Sequence, residues 1–124
     1  MNILIVEDDR TNQDLLGFQA EDAPFDVSVV TADNGEEALQ RIVQVAPIGM
    51  ILLDLGMPRM DGFEFLSRLR ARPAHRDTPV IVVTARDLSE EDHQRLKTMG
   101  VKQIFQKGRY DTQALTDAIT EFAP

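Results

Sequence analysis

The chain has 124 residues, 43% of them hydrophobic and 27% charged, enough for one ordinary domain with a real core and too few for two. It contains no cysteine, which excludes a disulfide framework, a thiolate metal site and a thiol nucleophile. The formal net charge is −8, so the average field repels polyanions such as DNA and favours cations as small partners.

No apolar stretch reaches the ~20 residues a membrane span needs. The N-terminal MNILIVEDD runs into acids at once and lacks the basic start of a signal peptide. A cytoplasmic protein with no membrane partner is expected.

Along the chain, NILIV (2–6) reads as a strand and is followed by a helix from about Thr11 to Asp22, with Leu15, Leu16 and Phe18 as its apolar positions. DVSVVTA (26–32) reads as the second strand. Asn34 then offers a cap, Glu36 and Glu37 occupy the first turn, and Ala38, Leu39, Ile42 and Val43 form an inner stripe. GMILLD (49–54) is the third strand, and Gly62 to Arg70 the third helix, with Phe63, Phe65, Leu66 and Leu69 on its apolar side. Pro79 opens VIVVT (80–84), and Ser89 with Asp92 resembles a capping box for a fourth helix that Gly100 ends. KQIFQ (102–106) is a weaker fifth strand, and Thr112 to Phe122 the last helix. Continuous apolar strands alternating with helices imply a parallel sheet covered on both faces. The expectation is one α/β domain over residues 1–124, a five-stranded parallel sheet of the doubly wound, flavodoxin-like (βα)5 kind.

In an open parallel sheet, functional groups gather beyond the carboxyl ends of the strands. There this chain places Glu7-Asp8-Asp9 after the first strand, Asp54 at the end of the third, Thr84-Ala85 at the end of the fourth and Lys107-Gly108 after the fifth. Asp9 doubles as a helix cap. Carboxylates packed this closely cannot all stay ionised without help, and a hard divalent cation such as Mg²⁺ supplies it through oxygen ligands. A carboxylate in the position of Asp54 can also act as a nucleophile towards phosphorus. The metal, Lys107 and the Thr84 hydroxyl would then stabilise the transferred oxygens.

The pieces ILIVEDD, LLDLGMPRMDG, VIVVTA and FQK, in this order on these elements, resemble the receiver domain of bacterial two-component response regulators from end to end. The resemblance implies a phosphorylation-dependent switch in a phosphorelay rather than a turnover enzyme. Asp54 is similar in position to the phosphoacceptor, which takes its phosphoryl group from a phosphohistidine of a sensor histidine kinase or histidine phosphotransfer protein. By the same resemblance Asp8 and Asp54 would ligate Mg²⁺, Glu7 would act mainly through water, and Gly56 would lend its backbone carbonyl. Thr84, Ala85 and Lys107 would bind the phosphoryl group. A downstream effector protein, or an output domain beyond these 124 residues, would read the switch, with no direct nucleic-acid binding by this chain.

Two residues depart from the family pattern. Gly108 replaces the proline most relatives carry after the lysine, and glycine can absorb unusual dihedrals there. At the second switch position, paired with Thr84, Ile104 stands where relatives usually carry Tyr or Phe, and Phe105 is expected on the opposite face of its strand. A degenerate receiver serving only as a protein-binding module is the alternative, opposed by Asp8, Asp54, Thr84 and Lys107. A flavodoxin-type flavin carrier is disfavoured because EDDR offers carboxylates where a phosphate would sit. A haloacid-dehalogenase-like hydrolase would carry an acid where this chain has Gly56. HQRLK around His93 loosely echoes phosphotransfer domains, but those are helical bundles, so an exposed helical His93 and a solvated His75 are expected.

Overall fold

The computed structural model describes residues 1–45 and 47–124, and among these five strands alternate with five α-helices. They are β1 (Asn2–Val6), α1 (Arg10–Glu21), β2 (Ser28–Ala32), α2 (Gly35–Gln44), β3 (Ile48–Leu53), α3 (Gly62–Arg70), β4 (Val80–Thr84), α4 (Glu90–Thr98), β5 (Val101–Gln106) and α5 (Thr112–Phe122). All neighbouring strands pair in parallel in the order β2-β1-β3-β4-β5. The winding reverses between β1 and β3, and there the crevice at the sheet's carboxyl edge opens. The register pairs Val6 with Leu53, so the next residues of the two strands, Glu7 and Asp54, emerge side by side.

Strand alternation explains the continuous apolar runs. Leu4, Val6, Ile51, Leu53 and Val82 face a core completed by Ala38, Ile42, Phe63, Leu66 and Leu96 of α2, α3 and α4. Ile3, Ile5, Met50, Leu52 and Val83 face a second core with Leu16, Ala20, Leu115 and Ile119 of α1 and α5. Each such side chain contributes roughly 1.5–3 kcal/mol by leaving water, so neither face tolerates a polar residue without a partner.

The caps follow the sequence: Asp9, Asn34 and Ser89 accept from backbone N–H groups at the starts of α1, α2 and α4, and the Ser89–Asp92 capping box is complete. Boundaries moved by one or two residues, with β2 starting at Ser28, β3 ending at Leu53 and β5 starting at Val101. The inner face of α1 differs from expectation: Leu15 and Phe18 are 51% and 67% exposed, while Gln13, Leu16, Gly17 and Ala20 are buried. Gly17 and Ala20 are small, so the helix lies close on β1 and β2 and turns its larger residues outward. On α2, Val43 is likewise 64% exposed, beyond the stripe formed by Ala38 and Ile42. His75 is half-buried rather than solvated. It closes a 3-10 turn, Pro73–His75, with Nδ1 3.0 Å from Thr78 Oγ1. His93 is exposed on α4.

Candidate functional site

Backbone pairing fixes the two central carboxylates. The Glu7 N–H donates to the Ala32 carbonyl at 3.0 Å and the Asp54 N–H to the Val6 carbonyl at 2.9 Å, prolonging the ladder by one residue on each strand. Glu7 is 1% exposed and Asp54 6%, whereas Asp8 is exposed. One oxygen from each of Glu7, Asp8 and Asp54 lies within 4.8 Å of the others. From just beyond β5, Lys107 reaches in, and its Nζ donates to Glu7 Oε2 at 2.5 Å and to Asp54 Oδ2 at 3.3 Å. The Lys107 N–H donates to the Thr84 carbonyl at 2.8 Å, so its stem starts from a fixed point.

Burial raises the Glu7 pKa above its ordinary value, and the Asp54 charge adds to this against the opposing Lys107 hydrogen bond. For Lys107 burial works against the charge, but the hydrogen bond to Glu7 and the fields of Asp54 and Glu7 outweigh it and raise the pKa. Lys107 is therefore a firm cation, yet its one ammonium pairs with Glu7 and Asp54 in a cluster of three carboxyl groups. The surplus negative charge, the hard oxygen donors and the open side at Asp8 together fit a divalent cation that keeps part of its water.

At the margins of this cluster, the Gly56 N–H donates to Asp54 Oδ1 at 3.3 Å. A side chain at Gly56 would meet nothing within 4 Å of its Cβ. Thr84 is 1% exposed, and its Oγ1 accepts from the Arg86 N–H at 3.2 Å. Ala85 follows on the exposed start of the β4–α4 loop. Gly108 has a φ of +77°, a conformation that suits glycine.

Ile104 pairs in register with Val82 and packs on the α2–α4 side of the sheet. With Thr84, Arg86, Leu88 and Gln106 it lines a cavity of about 290 Å³. Phe105 faces the other side, its ring 5.2 Å from that of Tyr110. A wider cavity of about 540 Å³, between Met1, Pro47, Pro73 and Pro79, lies at the amino edge of the sheet, and Asp77 is its one acidic side chain among the described residues.

Sequence reasoning missed Gln13. It is 4% exposed, and its Nε2 donates to the Glu7 carbonyl at 2.5 Å and to Asp33 Oδ1 at 2.6 Å. The signal was present as a polar residue at helical spacing from Leu16, Gly17 and Ala20, visible once these are recognised as the inner face.

The family model described as the response regulator receiver domain matches residues 3–120. The chain is 38% identical over 107 residues to the "Uncharacterized 14.6 kDa protein in sodA1 3'region" of Leptolyngbya boryana, covering 86% of this chain and 79% of that one. It is 37% identical over 84 residues to the cyclic di-GMP phosphodiesterase response regulator RpfG of Xanthomonas campestris pv. campestris, covering 68% of this chain and 22% of that protein. The chain therefore spans about a fifth of the length of RpfG. Among solved structures, chemotaxis protein CheY4 of Vibrio cholerae superposes with a TM-score of 0.83 at 26% identity, covering 98% of this chain and 97% of that one.

Proposed function

The chain belongs to the response regulator receiver family of two-component systems, and from that premise we propose that residues 1–124 are one receiver domain that is phosphorylated on Asp54. The observation that carries this reading is the meeting of Glu7, Asp8, Asp54 and Lys107, drawn from three strand ends. A structural ion pair would need one acid per ammonium; three acids around one lysine leave charge for a cation and a nucleophile.

The donor would be a phosphohistidine of a sensor histidine kinase or a histidine phosphotransfer protein. An Asp54 oxygen attacks phosphorus, the new O–P bond forms as the P–N bond breaks, and the electron pair leaves on the imidazole nitrogen. Asp8 and Asp54, with the Gly56 carbonyl and with Glu7 through water, would hold Mg²⁺, which when bound offsets charge on the phosphoryl oxygens. Gly56 N–H holds Asp54 Oδ1 and leaves the other carboxylate oxygen for attack. Lys107, which touches Asp54 at 3.3 Å, shifts to a phosphoryl oxygen. The Thr84 hydroxyl accepts from Arg86 N–H, so its own proton is free to donate to the same group, beside the backbone of Ala85.

The readout passes through Thr84 and the β4–α4 loop to an effector protein or an output domain. Ile104 has no ring to swing, so movement of the loop over the adjoining cavity replaces a rotamer change. Such a chain works as a switch in the compartment of its kinase's phosphohistidine, the cytoplasm, and turns over no other substrate.

Incubation with acetyl phosphate or beryllofluoride and Mg²⁺, followed by mass measurement, is expected to label the wild-type chain once and Asp54→Asn not at all. Equal labelling of Asp54→Asn would overturn the acceptor assignment.

A further inference from the structure

We propose that Gln13 is a positioning residue for the cation site: its amide clamps the Glu7 carbonyl to Asp33 and so sets the affinity for Mg²⁺ at Asp8 and Asp54. This rests on the reading of the site as a receiver centre. Buried amides are costly unless hydrogen-bonded, and Gln13 is 4% exposed. Both of its neighbours, a backbone carbonyl and a carboxylate, can only accept, so the amide nitrogen must face them, and each of its two protons serves one partner. The contacts, 2.5 and 2.6 Å, are short, and the Asp33 carboxylate strengthens its own.

The clamped carbonyl belongs to the peptide that joins Glu7 to Asp8. The plane of that peptide sets the direction in which the Asp8 Cα carries its side chain. Among the described residues no hydrogen bond holds the exposed Asp8 carboxylate itself, so its aim depends on the backbone behind it. Each polar atom of Glu7 already has a protein partner, its N–H in Ala32, Oε1 in the Asp9 N–H, Oε2 in Lys107 and its carbonyl in Gln13, while its carboxylate keeps acceptor capacity for water. Asp33 follows β2, so the clamp also ties the loop after β1 to the loop after β2. Gln13 is neutral and leaves the Asp33 charge in place, where it adds to the field that draws a cation.

Gln13→Met keeps length and apolar bulk but removes both donors. Asp33→Asn keeps an acceptor oxygen and removes only charge. Calorimetric Mg²⁺ titration is expected to show binding to Gln13→Met weakened about tenfold, the scale typical when a metal ligand loses its support. The Asp8 amide resonance should shift in the same variant. Its labelling rate with acetyl phosphate should return to within about twofold of wild type at saturating Mg²⁺, because Asp54 and Lys107 are untouched. Asp33→Asn should bind Mg²⁺ within about threefold of wild type. Unchanged Mg²⁺ affinity in Gln13→Met overturns the clamp, and so does a labelling rate that excess Mg²⁺ fails to restore. Should Gln13→Met not fold, Asp33→Ala removes the outer anchor without touching the core, and unchanged affinity there overturns the proposal equally. Wild-type protein that takes up no Mg²⁺ overturns the receiver reading and the clamp together, whereas wild-type binding with an indifferent Gln13→Met overturns the clamp alone.

Discussion

Gly62 stands where α3 begins and the loop carrying Asp54 passes beneath it. A Cβ there would lie 2.6 Å from Leu55 Cδ2, 2.8 Å from Leu55 Cα and 3.0 Å from the Asp54 carbonyl. The leucine side chain can yield, but the backbone is pinned by the hydrogen bond from Gly62 N–H to the Leu55 carbonyl at 3.1 Å. Gly62→Ala is therefore expected to cost about 1–3 kcal/mol in urea unfolding and to weaken Mg²⁺ binding by moving Asp54. Stability equal to wild type would show that the loop shifts freely. Gly56 is the opposite case, exposed and with open space around a would-be Cβ. Gly56→Asn should fold normally and lengthen the half-life of the aspartyl phosphate severalfold by screening it from water. Decay of radiolabelled protein measures this, and identical half-lives would remove the idea.

Among the elements, α4 depends most on its own ends. Leu96 is its one buried residue among those described, so little apolar packing holds it to the sheet. Instead Ser89 Oγ accepts from the Asp92 N–H at 3.0 Å while Asp92 Oδ2 accepts from the Ser89 N–H at 3.1 Å. That backbone hydrogen bond lowers the Asp92 pKa. Acids in the first turn and Arg95 and Lys97 in the last oppose the helix dipole favourably. The Arg95 guanidinium lies 4.4 Å from the centre of the Phe63 ring, linking α4 to the start of α3. Ser89→Ala should cost about 1 kcal/mol and speed amide exchange in α4 before the sheet; uniform acceleration along the chain would contradict a local cap. This box was legible in the sequence because its partners are three residues apart. The buried face of α1 was not, because Leu15 and Phe18 look more apolar than Gln13, Gly17 and Ala20. The choice between these faces is made by how closely the helix must approach β1 and β2.

At the scale of the whole molecule, Arg70 joins α3 to the end of α4 and to the entry of β4. It donates to the carbonyls of Met99, His75 and Thr78, each at 2.8 Å. His75 sits within this joint, and burial, then Arg72 and Arg70, lower its pKa below the ordinary 6.5. The folded chain thus binds a proton at His75 less readily than the unfolded chain. The stability this provides is present above about pH 6.5 and is lost as the pH falls through the folded pKa. His75→Asn keeps a polar group for Thr78 and cannot titrate, so its unfolding free energy should fall less steeply on acidification. Matching slopes for the two proteins would show that His75 titrates as a free residue.

The sequence by itself determined the order of strands and helices, the caps at Asp9, Asn34 and Ser89, and the arrival of Glu7, Asp8, Asp54, Thr84 and Lys107 at one edge of the sheet. Each of these follows from residues close along the chain together with the parallel topology that alternating elements impose. Only the tertiary structure decided that Lys107 bridges Glu7 and Asp54, the former from 100 residues away, that Gln13 locks Glu7 to Asp33, and that a cavity lies beside Ile104. These depend on register, on helix approach and on which polar groups lose their water, and no local pattern carries that information.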